Sequence, residues 1–251
     1  MNSTLTALIV FGCLMGAVFV GRWLRHILPE GHVSADSRDA VKLAMGLVAT
    51  MSALVLGLLV SSAKGSYDTE RSEVIQMASK VAFLGRVLAA YGPEAASVRP
   101  QLRDTVEGAM QQLWPGETRG MAKAAPDTQA GNALYGAIQR LSPQNDVQAA
   151  AKSQAATLVI ELGQLRSLLA AQSVPSISTA MLVILVSWLM VIFLGFSVLA
   201  PPNATTILAL VVSALAVSGA ILLILELDEP FGGLIGISSQ PMLNALHQLA
   251  H

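Results

Sequence analysis

Residues 167–225 read SLLAAQSVPSISTAMLVILVSWLMVIFLGFSVLAPPNATTILALVVSALAVSGAILLIL, 59 residues with no Asp, Glu, Lys or Arg. A hydrocarbon core of ~30 Å is crossed by ~20 helical residues, so this stretch holds two crossings. Pro201-Pro202-Asn203 lies between them and supplies a turn followed by a helix-capping residue. The expected spans are about Ile177–Leu199, after Pro175, and about Ala204–Leu227, closed by Asp228-Glu229-Pro230.

Two shorter windows extend the pattern, since Asn2–Gly21 and Leu43–Ala63 also lack charge. The first span is expected over Leu5–Trp23. It ends in Gly21-Arg22-Trp23-Leu24-Arg25, where Arg and Trp suit a membrane interface. Met1-Asn2-Ser3-Thr4 has no basic side chain, so the segment differs from a secretory signal and is expected to be retained. The second span is expected over Asp39–Ala63, after a connector broken by Pro29-Glu30-Gly31.

Charged residues make up 12% of the 251, half the usual share for a soluble domain, and most lie between Lys64 and Arg166. Net charge is −1 with no Lys/Arg cluster, so nucleic acid is not an expected partner. The fold class is therefore an all-α membrane protein: four transmembrane helices plus an extramembrane antiparallel helical bundle.

The bundle is read from two apolar seams. Val74, Met77, Val81, Leu84, Leu88 and Tyr91 recur at steps of three and four, and residues 64–91 contain no proline. The second span is thus expected to continue as one helix until Gly92-Pro93. A second seam, Val147, Ala151, Ala155, Leu158, Leu162, Leu165 and Leu169, is heptad-like. Its helix is expected to start at Ser142-Pro143, with proline in the first turn. Between the seams the sequence predicts a helix from Glu94 to Leu113, a turn at Trp114-Pro115-Gly116, a loop over 124–131 and a short helix over Asn132–Leu141. The expected division is 1–63 with two spans and their connector, 64–175 as the bundle, 176–228 as the second span pair, and 229–251 as a tail.

Candidate functional residues follow from the spans. The second carries a stripe of small residues, Gly46, Thr50, Ala53, Gly57 and Ser61. Small residues let helices approach closely in lipid. The same stripe could line a pore, with Met51, Leu54, Val55 and Leu58 as an apolar constriction. The two readings merge if several copies of this helix surround one axis. Glu226, Asp228 and Glu229 end the fourth span. They are either a stop signal at the interface or, repeated around an oligomer, an acidic ring that selects cations. Asp36 and Asp39 are first-turn acids of the second span or a ring at the other mouth.

The pairs His26/His32 and His247/His251 lack a third ligand, so no metal site is expected. No nucleophile triad, phosphate loop or zinc signature is present, so neither an enzyme nor a cofactor is expected.

Several motifs together resemble a known family. They are Gly21-Arg22-x-Leu24 with Leu28-Pro29-x-x-His32, Asp36-x-x-Asp39, Tyr67-Asp68-x-x-Arg71, and Leu225-Glu226-Leu227-Asp228-Glu229-Pro230-Phe231-Gly232-Gly233-Leu234-Ile235 followed by Ser239-x-Pro241. In this order they resemble the bacterial bestrophin-like family of four-span proteins. The resemblance implies kinship to bestrophins, homo-oligomeric anion channels with a helical cytosolic domain. The second span here has no Phe, Tyr or Trp between Leu43 and Ala63, so the sign of any permeant ion is read from the mouths. There Glu226, Asp228 and Glu229 outnumber Lys64 and Arg71 by one, which favours cations.

The expected function is a homo-oligomeric ion channel of the bacterial inner membrane, with the second span around the pore. Its expected partners are the lipid bilayer, other copies of itself and inorganic ions. Basic residues near the two faces nearly balance, so the charge count does not orient the chain. The resemblance implies a cytoplasmic bundle, and the absence of cysteine from the bundle, which rules out a disulfide there, agrees with that expectation. The alternative is a non-conducting membrane sensor or scaffold whose bundle binds a partner.

Overall fold

A computed structural model of the chain describes residues 3–27, 35–114, 127–172, 177–201 and 203–249. Among the described residues eight α-helices follow in order: α1 Ser3–Ile27, α2 Ala35–Tyr91, α3 Val98–Leu113, α4 Asp127–Gln139, α5 Asp146–Gln172, α6 Thr179–Leu199, α7 Ala204–Leu227 and α8 Gln240–Leu249. No strand occurs among the described residues. The protein is an all-α membrane protein in which α1, α2, α6 and α7 are long and apolar enough to cross a bilayer. The chain divides into two compact units, Met1–Tyr67 with Pro175–Glu229 and Asp68–Val174 with Pro230–His251.

In the first unit α1 packs against both α6 and α7. Its buried residues Val10, Leu14, Ala17, Val18 and Gly21 return at helical spacing. They meet a core formed by Leu185, Leu189 and Phe193 of α6 and Ala214, Ile221 and Ile224 of α7. Helix contacts in lipid displace no water, so close approach and polar links decide which faces meet. Both are present here. Ser197 Oγ donates to Val18 O at 2.7 Å inside the core. A Cβ on Gly21 would stand 2.7 Å from Leu194 O and 2.8 Å from Ser197 Cβ. Only a glycine lets α1 and α6 come this close.

The second unit is built on the later part of α2. Lys80 pairs with Glu161, and Gln148 Nε2 donates to Tyr91 O at 3.0 Å. Partners on α5 fall in number as those on α2 rise, so the two helices are antiparallel. The α3 helix contacts α4 and α8, and α4 contacts α5. Lys152 of α5 donates to Gln139 O at 2.7 Å and to Leu141 O at 2.8 Å, which satisfies carbonyls left open at the end of α4. The tail folds into this unit. Met242, Ala245, Leu246 and Leu249 of α8 are buried, and the missing side chain of Gly85 leaves room that Leu249 occupies. Burial holds the Tyr91 hydroxyl above its usual ionisation range, and the Glu94 charge adds to that.

The local expectations differ from the structure at three helix starts. The helix expected from Glu94 begins at Val98, after a short 3-10 turn over Pro93–Ala95. The α4 helix starts at Asp127, so residues 127–131 are helical where a loop was expected. The α5 helix starts at Asp146, three residues after Pro143. Its cap is Asn145, whose Oδ1 accepts from Gln148 N at 2.8 Å while Gln148 Oε1 accepts from Gln144 N at 2.8 Å. This two-way capping satisfies donors that proline would only have removed. Val147 consequently faces solvent at 73% exposure, and the α5 seam is filled from Ala151 onward. The expected turn at Pro115-Gly116 and the connector break at Pro29-Glu30-Gly31 lie outside the described residues.

The α2 helix runs unbroken for 57 residues, about 85 Å at 1.5 Å per residue. In the second unit Glu70, Glu73, Val74, Met77, Ala78, Val81, Leu84, Val87, Leu88 and Tyr91 are buried, a broad heptad-like face. In the first unit the buried positions are fewer, Met45, Ser52, Leu59 and Ala63.

Candidate functional site

The small-residue stripe lies on the other side of α2. Gly46, Thr50, Ala53, Gly57 and Ser61 are all exposed. A Cβ added to Gly46 or Gly57 would meet nothing within 4 Å. Among the described residues, therefore, nothing packs against the two glycines of the stripe. The apolar window of α2 is 17% buried, against 33% for α1, 28% for α6 and 22% for α7, so α2 is the span least covered by its own chain. Leu47, Leu54 and Leu58 flank the stripe and are exposed as well.

Two hydroxyls of the α2 span are committed to their own helix. Thr50 Oγ1 donates to Gly46 O at 2.9 Å, and Ser52 Oγ donates to Val48 O at 2.8 Å. A hydroxyl that bonds the preceding turn tolerates hydrocarbon. Its oxygen still offers lone pairs to a passing ion or water.

The acidic candidates separate by environment. Asp39 is exposed and paired with Lys42 at 3.0 Å, one helical turn later. Asp36 falls in the first turn of α2, and its side chain lies outside the described residues. Glu226 is 3% exposed, Asp228 is half-buried and Glu229 is exposed. The three acids at the end of α7 thus do not share one solvent-facing surface.

The structure adds residues that the sequence reading passed over. Glu70 and Glu73 of α2 are buried at 6% and 9% exposure. The signal was present, because Glu70 and Glu73 stand four residues before Val74 and Met77 of the apolar seam. In the second unit, the segment after α7 is tied down at several points. Trp114 Nε1 donates to Ile237 O at 2.7 Å, and Ile237 N donates to Pro230 O at 2.7 Å. The Trp114 and Phe231 rings meet edge to face at 5.5 Å. Gly233 takes φ +78°, a conformation that disfavours other residues. The Pro-Phe-Gly-Gly run is thus a folded clasp on the helical unit. A cleft of about 520 Å³ in the same unit has Met77, Val81, Leu102, Val106, Met242 and Arg166 among its lining residues. Among the described residues no group of three His, Cys, Asp or Glu converges on a metal position.

The chain is similar in fold to solved bacterial membrane proteins. A crystal structure of a bacterial bestrophin homologue from Klebsiella pneumoniae, carrying an Ile-to-Thr mutation, superposes with a TM-score of 0.70 over 100% of this chain and 98% of that one, at 14% identity. A second structure of the homologue from that organism gives a TM-score of 0.70 over 97% and 95% of the two chains, also at 14% identity. A structure described as a membrane protein with a proline-to-alanine change reaches 0.72 over 99% and 97%, again at 14% identity. No curated protein matches the sequence. The sequence itself fits the Bestrophin-like domain over residues 12–242. That range takes in three spans whole, most of the first, α3 to α5 and the clasp around Trp114, so the chain belongs to the bestrophin-like family.

Proposed function

We propose that the chain forms a homo-oligomeric ion channel in a bacterial inner membrane, with α2 of each copy lining the pore and the extramembrane helices forming a vestibule. The observation that carries this reading is the uncovered stripe on α2. Two glycines in a helix cost up to ~1 kcal/mol each against alanine, and bare small residues gain nothing from contact with lipid. A ring of α2 helices gives the stripe a role in both close packing and a narrow polar path. The test is recording from the purified protein in planar lipid. Discrete unitary currents support the channel, and silent bilayers containing protein of verified fold overturn it.

The proposed preference is for cations, and it rests on Asp228 and Glu229. Lys42 offsets Asp39 at the other mouth, and buried Glu226 supports helix packing instead. Asp228→Asn with Glu229→Gln is expected to move the reversal potential in a KCl gradient towards zero by most of its cation-favouring value. An unchanged potential removes these acids from the conduction path, and an anion-selective wild type reverses the sign.

A second reading, a non-conducting sensor whose bundle binds a partner, is favoured by the apolar cleft of about 520 Å³. Such volumes suit small-molecule sites. In either case the bundle is proposed to be cytoplasmic. Ser97 is exposed, so Ser97→Cys in a chain with Cys13→Ala offers a clean probe. A membrane-impermeant thiol reagent is expected to leave it unlabelled in intact cells and to label it after lysis. Labelling of intact cells would place the bundle outside.

A further inference from the structure

We propose that the pocket between the end of α1 and the α6–α7 turn recognises a phosphate group, and that its occupant is the headgroup of an anionic lipid. The pocket has a volume of about 140 Å³ and is lined by Arg22, Arg25 and His26 of α1, Ala200 and Pro201 of the turn, and Thr206 of α7. Liquid water takes about 30 Å³ per molecule, so this space admits a group of a few heavy atoms. Among the described residues that line it there is no carboxylate.

The electrostatics favour an anion. Arg22 and Arg25 stand three residues apart and share one helix face, where like charges repel. Both are half-buried, which strengthens that repulsion relative to open water. Arg25 Nη1 donates to Ala200 O, the capping residue of α6. This fixes the guanidinium plane at the wall of the pocket and uses one of its five donors. Guanidinium groups bind phosphate oxygens in pairs, with a geometry that lysine does not reproduce. The neighbouring start of α7 acts in the same sense. Asn203 makes no side-chain cap bond there, and the Thr206 hydroxyl lies in the pocket wall.

The surroundings select the lipid over a soluble ion. Trp23 is 66% exposed, Ile27 55% and Leu208 64%. Ile207 and Leu210 of α7 line the pocket itself, so apolar surface belongs to a basic pocket at the end of a span. Acyl chains lie along that surface when the phosphate is in the pocket. Basic pockets between spans take anionic headgroups for this reason.

The test uses the full chain in mild detergent and native mass spectrometry, with phosphatidylglycerol or phosphatidylcholine added. Wild type is expected to retain phosphatidylglycerol over phosphatidylcholine by roughly tenfold, the scale of one hydrogen bond to a charged group. Arg22→Gln is expected to erase that preference without lowering the thermal midpoint, and Arg22→Lys to restore part of it. Inorganic phosphate supplied as competitor separates the sources. If phosphate binds the wild type and not Arg22→Gln while the two lipids bind equally, the pocket reads phosphate and the lipid is overturned as its source. A phosphatidylglycerol preference that persists in both Arg22→Gln and Thr206→Val overturns the site. So does the absence of both lipid preference and phosphate binding in the wild type. Arg25 is left intact because its bond to Ala200 supports the fold.

Discussion

Gly57→Leu is expected to reduce the particle seen in mild detergent to the mass of one chain and to abolish conduction. The structure separates this effect from misfolding. Nothing lies within 4 Å of a Cβ at Gly57 and the position is exposed, so the larger side chain is expected to be accommodated in the single chain. Leucine also favours a helix over glycine by up to ~1 kcal/mol. A folded monomer should therefore be as stable as wild type or slightly more so, with the same helical circular dichroism. In the assembled ring the leucine would force neighbouring backbones apart along the stripe, where contact depends on small residues. Light scattering of the purified variant is the direct readout. An oligomer of unchanged mass would show that copies do not meet through this face, and the proposed pore would go with it.

Gly21→Val is expected to act in the opposite way, damaging the single chain first. The new Cβ would fall 2.7 Å from Leu194 O and 2.8 Å from Ser197 Cβ. Neither obstacle is the loose end of a flexible side chain, so α1 and α6 must separate. Overpacking of this kind typically costs 1–3 kcal/mol, occasionally more. Separation also breaks the Ser197–Val18 bond, for which about 0.6 kcal/mol is typical within membranes. Ser197→Ala serves as the control, since it removes the bond and keeps the spacing. Unfolding in a denaturing detergent should rank wild type, then Ser197→Ala, then Gly21→Val. Equal stability of Gly21→Val and wild type would contradict the close approach.

The spans were legible because hydrocarbon tolerates no uncompensated charge, and three charge-free windows therefore marked all four helices. The length of α2 was legible from the lack of proline over 64–91. Helix starts were less so. Ser142-Pro143 is a strong local signal, but Asn145 and Gln148 offer real hydrogen bonds and prevail. The start of α4 at Asp127 was hidden because Gln129, Gly131 and Asn132 carry no apolar period.

At the candidate site, the stripe on α2 was visible as a spacing. That its own chain leaves the stripe bare was not, because burial depends on how other segments pack. Glu226 shows the same limit. It follows Leu225 as a stop signal would, yet it is 3% exposed. The pairing of Asp39 with Lys42 needed only their three-residue spacing, and so could have been read in advance.

The buried face that α2 shows in the second unit makes that part of the helix a keyed shaft. Each added residue turns everything beyond it by about 100°. The run from Glu70 to Tyr91 therefore has a length fixed by angle more than by reach. One residue inserted after Val81 would swing Leu84, Leu88 and Tyr91 out of the core that buries them, whereas seven would return them to within about 20°. Loops lengthen one residue at a time, but this stretch keeps its bearing only through steps such as seven or eleven.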